Sequence, residues 1–418
     1  MPFRFVHTAD IHLDSPLRSL ALKNEELADV IGAASRSALT RIVDLCLAEQ
    51  VDALLIAGDL YDGDQTSMKT ALFLARELGR LHEAGIPTYI IRGNHDALSK
   101  ITRELVLPDS VKLFGGRAEA VPLARASGPD IVIHGLSFRE PRAPDCLLPS
   151  YKPPVEGAVN IGLMHTSLGG SLSHDPYAPV SLPELQASGF RYWALGHIHQ
   201  RAEYAGAATV VMPGIPQGRD INEAGAKSVS LVTVSDNGEI TVQERSVASA
   251  RFDRIEVDLA GVFDWSDAVA RIARSLEAQT AGDHHGVVRL KLTGSTPLAW
   301  RLRRELDLVK AEAELTAGRL GRLFVEQVES ACRPLETKTE ASGDPVAELA
   351  GLIAADVLSG PAFRDLAHEA ANELIKGLPP ELRGLFGQDE AEFAQRLDAL
   401  ARDGVDTVLA RLREGGEA

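Results

Sequence analysis

The chain has 418 residues, 45% of them hydrophobic and 24% charged, with a formal net charge of −16. That length suits between two and three domains, and the globular composition excludes a disordered, collagen-like or coiled-coil chain. The negative balance argues against a protein that coats nucleic acid by charge alone, although bound metal ions would add positive charge that formal counting omits.

In chain order, short apolar runs alternate with helical patterns over the first 250 residues, which predicts β-α-β organisation. Strands are expected at Phe3–Val6, Ala53–Ala57 and Thr88–Ile91, with helices over Glu25–Glu49 and Ser67–Glu83 between them. Beyond these the helices thin out. Strands recur at Val111–Phe114, Ile131–Leu136, Val159–Met164, Arg191–Leu195, Thr209–Met212, Val229–Val234 and Ile240–Glu244. Asp236-Asn-Gly238 reads as a hairpin turn between the last two. The expected α/β architecture is two packed sheets with helices outside, four layers in all, rather than a single parallel sheet.

A second unit is expected from residue 251 to 332, a small α+β domain. Ile255, Val257 and Leu259 alternate as a strand, Asp264–Gln279 is an amphipathic helix, and Val287–Leu292 is a strand. Leu298–Leu308 reads as a helix and Leu323–Val328 as a strand. Arg333–Asp344 reads as a polar linker, and the remainder of residues 333–418 as helical. Val346, Leu349, Leu352, Ile353 and Leu358 share one helical face, Pro361 opens the next helix and Gly377 closes it. Phe393, Leu397, Leu400, Val408 and Leu412 mark a last helix. Residues 334–418 carry 17 acidic and 8 basic side chains, so the acidic excess is concentrated there.

The cysteines Cys46, Cys146 and Cys332 are too widely spaced for a disulfide framework or a zinc knuckle, which predicts a reducing compartment. The opening MPFRFVHTAD has no apolar run of the signal-peptide kind, and no run of about 18 apolar residues suits a membrane span. A cytoplasmic protein without a membrane partner is expected.

Five polar clusters sit at or beyond the ends of the expected strands. They are Asp10-Ile-His12, Gly58-Asp59-Leu-Tyr-Asp62, Gly93-Asn94-His95-Asp96, His165, and Gly196-His197-Ile-His199. Side chains at the carboxyl ends of neighbouring strands converge on one crevice. Histidine nitrogen with carboxylate and amide oxygen, and no thiolate, suits Mn²⁺, Fe²⁺ or Zn²⁺. Seven ligands are too many for one catalytic ion with an open position, and they fit two ions sharing a bridging carboxylate. Residues two apart on an extended segment point the same way, which would aim both members of Asp10-x-His12 and His197-x-His199 at one point. Gly58, Gly93 and Gly196 would let the backbone turn tightly before each ligand. Any one of these motifs alone is more often a polar turn; the five in order, each after a strand, are not.

This ordered set resembles the calcineurin-like metallophosphoesterase superfamily over residues 3–245. Phe5-Val-His-Thr-Ala-Asp-Ile-His-Leu13 resembles its SbcD branch of DNA repair exonucleases, and Asp14-Ser-Pro16 resembles the YhaO-type members. The resemblance implies a metallophosphoesterase β-sandwich over residues 1–250, a capping domain after it, and roles for each residue. Asp10, His12 and His199 would hold one ion, Asn94, His165 and His197 a second, and Asp59 would bridge them. His95 would face the scissile phosphate, orienting it or protonating the leaving oxygen. Asp62 stands where some nuclease relatives carry a histidine, so it and Asp96 are expected to orient histidine N–H groups.

The implied function is metal-dependent hydrolysis of DNA phosphodiesters in double-strand-break repair, as an exonuclease. Water activated between two ions, most readily Mn²⁺, would attack phosphorus in line. The implied partners are DNA, an SMC-like coiled-coil ATPase of the SbcC or YhaN type, and a second copy of the chain. The alternative is a phosphoesterase acting on a small phosphomonoester or cyclic nucleotide. A third reading, a binding module without chemistry, conflicts with all eight site positions being filled.

Other polar residues have blander expectations. His7 reads as a core or supporting histidine, and Trp193 as core. His134 could line the site, while His174, His284 and His285 read as loop residues. Arg92, Arg139, Arg201 and Arg219 fall near the crevice and could position phosphates. Arg301, Arg303 and Arg304 form a stripe that reads as a solvated helix face. The acidic helices either finish the fold or bind the ATPase partner.

Overall fold

The computed structural model describes residues 1–15, 25–62, 67–97, 106–169, 177–279, 284–335, 345–377 and 390–412. Pro16, His174 and most of the expected linker Arg333–Asp344 lie outside the described residues. The chain forms two compact units.

The first unit holds residues 1–253 and 284–287. Its first sheet contains β1 (Phe3–Thr8), β2 (Ala53–Ala57), β3 (Thr88–Ile91) and β4 (Val111–Leu113), joined later by β11 (Ser228–Val234) and β12 (Ile240–Ser246). The strand order is β12-β11-β1-β2-β3-β4. β1, β2, β3 and β4 run parallel, with Phe5 opposite Ala53 and Leu54 opposite Thr88, while β11 pairs antiparallel to β1. Helices α1 (Glu25–Glu49) and α2 (Met68–Glu83) supply the parallel crossovers. Ser67 caps α2 by accepting the N–H of Thr70.

The second sheet holds β5 (Glu119–Leu123), β6 (Ile131–Gly135), β7 (Val159–His165), β8 (Tyr192–Gly196), β9 (Ala202–Tyr204) and β10 (Thr209–Met212), in the order β5-β6-β7-β8-β10-β9. A short helix α3 (Leu182–Ala187) precedes β8, opened by a capping box between Ser181 and Glu184. β6, β7, β8 and β10 are parallel.

The period of two sorts each strand between layers. In β2, Leu54 and Ile56 pack with Leu39, Ile42, Leu74 and Leu78 of the helices, whereas Ala53, Leu55 and Ala57 face the other sheet. There they meet Ile133, Ile161, Leu163 and Val211. Phe5 of the first sheet meets Tyr192 of the second edge-on, 5.3 Å between ring centres. On the far side of the second sheet, Trp193 stacks on Phe190 at 4.4 Å, and its Nε1 donates to Ser188 Oγ at 3.0 Å. Each such large apolar side chain contributes about 1.5–3 kcal/mol on burial. The four-layer α/β arrangement expected from the sequence is present, and Trp193 is core.

Three elements escaped the sequence reading. β5 and β9 are edge strands with exposed alternate residues, and β5 carries Pro122, which only an edge tolerates. Helix α3 is too short to show a period.

A three-stranded sheet of β13 (Ala250–Asp258), β14 (His285–Thr293) and β15 (Leu323–Ser330), in the order β13-β14-β15, belongs to the second unit from Arg254 in β13 and from Val288 in β14. Helix α4 (Trp265–Glu277) begins at Asp264, whose side chain caps Asp267. The expected helix Leu298–Leu308 is in fact two, α5 (Ala299–Arg304) and α6 (Leu306–Leu320), which break at Glu305. The buried face of α6 is Val309, Ala313 and Ala317. Alanines give little hydrophobic signal, so the helix ran past the expected end to its left-handed cap at Gly321, φ 80°.

The acidic helices are α7 (Pro345–Leu352), continued by a wider π-helical turn over Ile353–Val357, then α8 (Pro361–Gly377) and α9 (Glu390–Leu412). Arg303 of α5 pairs with Asp403 and Asp406 of α9. Arg301 lies over the ring of Trp265 at 4.4 Å and bonds Glu305 at 2.9 Å, and Arg304 also pairs with Glu305. The arginine stripe is therefore engaged within this unit rather than simply solvated. Leu349 and Leu352, on the shared apolar face, are exposed. Among the described residues, no helix is long and apolar enough to cross a membrane.

Candidate metal centre

The polar clusters follow the carboxyl ends of β1, β2, β3, β7 and β8, and these strands lie central in their sheets. The segments after β1 and β2 run side by side. Asp10 N–H donates to Gly58 O at 3.0 Å, His12 N–H to Asp59 O at 3.1 Å, and Leu13 N–H to Leu60 O at 2.9 Å. Neither segment is extended. Asp10, His12, Asp59 and His197 all have left-handed φ, at 52°, 44°, 50° and 101°. The expectation that ligands two apart converge through extended backbone is thus corrected: Asp10, His12 and His197 sit on left-handed backbone instead. Such conformations cost about 1–3 kcal/mol each and concentrate where the surroundings hold them.

The glycines also act differently from expectation. Only Gly58 takes a positive φ, 96°. A Cβ on Gly93 would meet Asp59 Oδ1 and the His165 ring, and one on Gly196 would meet the Ala57 carbonyl oxygen. Those two are glycines for close approach, not for turning.

Among the described residues, three groups of side chains bring ligand atoms within 4.8 Å of one another. They are Asp10, His12 and His199; Asp59, His165 and His197; and His12, Asp62 and His95. Asp10 and Asp59 are fully buried, while His197 and His199 are half-buried at the mouth. Asp10 accepts the His197 N–H through both oxygens, at 3.0 and 2.9 Å. Asn94 Oδ1 lies 3.0 Å and Asp59 Oδ2 3.3 Å from His165 Nε2.

The ring orientations suit a bound cation. His12 Nδ1 lies 2.7 Å from Asp62 Oδ1, and His199 Nδ1 lies 2.7 Å from Glu223 Oε1. A carboxylate only accepts, so each Nδ1 carries a hydrogen, and Nε2 is the ring nitrogen each histidine turns toward the centre. Those two Nε2 atoms face each other at 3.2 Å. His165 differs: its Nδ1 lies 3.0 Å from the Ala57 carbonyl, and its Nε2 faces the oxygens of Asn94 and Asp59. Burial opposes a charge on His165, yet the Asp59 carboxylate outweighs it and raises the imidazole to about 9. His197, lowered to about 3 by burial and by His165, stays a neutral donor.

A family profile described as calcineurin-like phosphoesterase matches residues 3–201, and one described as metallophosphoesterase YhaO, middle domain, matches residues 252–333. Over 97% of its length the chain is 30% identical to the uncharacterized metallophosphoesterase YhaO of Bacillus subtilis (strain 168), covering 97% of that protein. The chain belongs to the calcineurin-like metallophosphoesterase family. This metallophosphoesterase is therefore a hydrolase of a family that uses divalent metal ions. It is also 28% identical, over 51% of its length and 54% of the relative's, to the DNA double-strand break repair protein Mre11 of Sulfurisphaera tokodaii. Among solved structures, TT1561 of Thermus thermophilus aligns over 58% of the metallophosphoesterase and 99% of its own chain, with TM-score 0.35 and 16% identity.

His95 differs from its neighbours in being open, its side chain 47% exposed. Its Nδ1 lies 3.1 Å from Asp62, its backbone N–H donates to Asp59 Oδ1 at 3.0 Å, and its ring meets His12 edge-on at 5.0 Å. Asp62 thus contacts two histidines, His12 and His95. Asp96 does not hold a histidine. It accepts main-chain N–H groups of Gly93 at 2.7 Å and Leu60 at 3.0 Å, tying the loop after β3 to that after β2.

Several candidates of the metallophosphoesterase fall elsewhere. His7 is buried between Tyr192 OH and Leu195 O, and His134 bonds Asn160. Arg139 bonds Gly116 O, and Arg201 bonds Ser230 and pairs with Glu203. Neither joins the groups above, nor do His284 and His285. Arg92 lies at the end of β3, and its Nε finds no hydrogen-bond partner among the described residues. Arg219 does reach the centre. Glu223, which holds His199, was missed because it sits in a short turn, Ile221–Glu223, with no glycine or histidine beside it. Asp14 accepts from Arg36 Nε of α1 at 2.7 Å and from Thr70 of α2, so it braces the two helices.

Proposed function

We propose that this metallophosphoesterase is a DNA nuclease of double-strand-break repair, an exonuclease working in the cytoplasm beside an SMC-like coiled-coil ATPase of the SbcC or YhaN type. Asp10, His12 and His199 hold one divalent ion, Asn94, His165 and His197 a second, and Asp59 serves both. The nitrogen and oxygen donors, without thiolate, favour Mn²⁺. Bound divalent cations would supply Lewis acidity at phosphate oxygens and lower the pKa of water.

The observation that carries the reading is the placing of His95, half-exposed beside a cluster of largely buried ligands. Asp62 occupies its Nδ1, so Nε2 is the nitrogen offered to an incoming phosphate or a leaving oxygen. The buried carboxylates Asp10 and Asp59 keep their fixed places through main-chain N–H donors. The nucleic-acid half of the reading is supported by likeness to the Sulfurisphaera tokodaii protein named for double-strand-break repair.

The test uses purified protein in Mn²⁺ with His95→Ala beside it. Nucleotide release from end-labelled double- and single-stranded DNA is compared with hydrolysis of bis-p-nitrophenyl phosphate. Cleavage of DNA ends by the unaltered protein alone supports the nuclease. Hydrolysis of the small ester with DNA intact, even after a candidate ATPase is added, favours a small-molecule phosphoesterase instead.

A further inference from the structure

We propose that Arg219 is a positioning residue that sets one cation site and leaves the other alone. The proposal rests on the ligand assignment above and goes beyond it. Arg219 lies outside both segments that match family profiles, in the stretch between β10 and β11.

Its guanidinium reaches two carboxylates. Nη2 donates to Glu223 Oε1 at 2.7 Å and Nε to the same oxygen at 3.1 Å, while Nη1 stands 3.7 Å from Asp62 Oδ2. Glu223 holds Nδ1 of His199, and Asp62 holds Nδ1 of His12. One planar cation therefore ties together the two carboxylates that aim the opposed Nε2 atoms. The other half of the centre is built differently: His165 is fixed by the Ala57 carbonyl, and the His197 backbone by Asp10.

The sign of the effect separates positioning from bare charge. As a point charge, Arg219 repels a divalent cation, so removing it would tighten binding. As a brace, its removal frees Glu223 and Asp62 to turn, loosens both imidazoles, and weakens binding. Losing an outer partner of a ligating histidine typically costs 10–100-fold in metal affinity. Lysine offers a single point of charge and cannot span both carboxylates.

The full chain, stripped with chelator, is titrated with Mn²⁺ alone by calorimetry, with electron paramagnetic resonance counting bound ions. His199→Ala marks the binding step that belongs to the His12–His199 pair, and His165→Ala marks the other. Arg219→Ala is expected to weaken the His199 step about 10–100-fold and leave the His165 step unchanged. Arg219→Lys is expected to weaken the same step. If Arg219→Ala lowers the thermal midpoint too far for titration, Glu223→Gln, which keeps the side-chain shape, carries the same expectation. Unchanged or tighter binding at the His199 step, or equal weakening of both, overturns the proposal. An unaltered protein that binds no Mn²⁺ overturns the ligand assignment beneath it.

Discussion

His12 and His199 present their Nε2 atoms to each other at 3.2 Å, with each opposite ring nitrogen held on its own carboxylate. A cation that binds both Nε2 atoms in the folded state alone stabilises the fold by mass action. At a free concentration a hundred times the dissociation constant, the gain is about 2.7 kcal/mol per site. The thermal midpoint is expected to rise with added Mn²⁺ and to fall in chelator, and His199→Ala is expected to shrink the rise. A midpoint indifferent to Mn²⁺ would remove the centre from consideration.

His95 supplies no ligand atom in the proposed assignment, and its backbone contact to Asp59 does not depend on its side chain. His95→Ala is therefore expected to retain Mn²⁺ affinity while losing turnover by roughly 10²–10⁴-fold, the usual range for a positioned acid or base. Turnover against bis-p-nitrophenyl phosphate, beside Mn²⁺ titration of the same preparation, checks this. Equal turnover in both proteins would take His95 out of the reaction.

Most of the first unit, and the clustering of its candidate ligands, were legible because they rest on signals of short range. Runs such as Ala53–Ala57 are apolar on both faces, and each ligand cluster directly follows such a run. What was not legible depends on distant partners. Glu223 meets His199 across 24 residues and Arg219 meets Asp62 across 157, with no local pattern to mark either. The coiled backbone at Asp10, His12 and Asp59 is likewise invisible, because it is held by hydrogen bonds between two separate loops. The alanine face of α6 hid its length for a different reason, the weakness of its apolar signal.

Gly196 and Gly93 allow a graded test of close approach. A Cβ at Gly196 meets a main-chain carbonyl oxygen of β2, which cannot move without breaking the sheet. Gly196→Ala is expected to destabilise the first unit by about 3 kcal/mol, the upper end for an overpacked core. A Cβ at Gly93 meets side chains of Asp59 and His165 instead, which can shift at the expense of the centre. Gly93→Ala is expected to lose Mn²⁺ affinity with a smaller change in urea midpoint. The reverse order of stability would contradict this reading.

His7 makes the metal-free first unit sensitive to acid. It is fully buried between Tyr192 OH and Leu195 O, and burial lowers its pKa from 6.5 to about 3. Below pH 6.5 the unfolded chain takes up a proton at this position, whereas the folded chain does not until about pH 3. The unfolded state then binds more protons, so stability falls as pH falls across that window and is fully present above it. Each pH unit inside the window costs about 1.4 kcal/mol. His7→Gln removes the titration, so it is expected to be less stable at pH 7.5 but to lose less on moving to pH 5.5, by roughly 1 kcal/mol. Urea unfolding in chelator at both values, with hydrogen exchange read at the β1 amides, measures the difference. Parallel losses in the two proteins would show that His7 already carries its proton in the folded state.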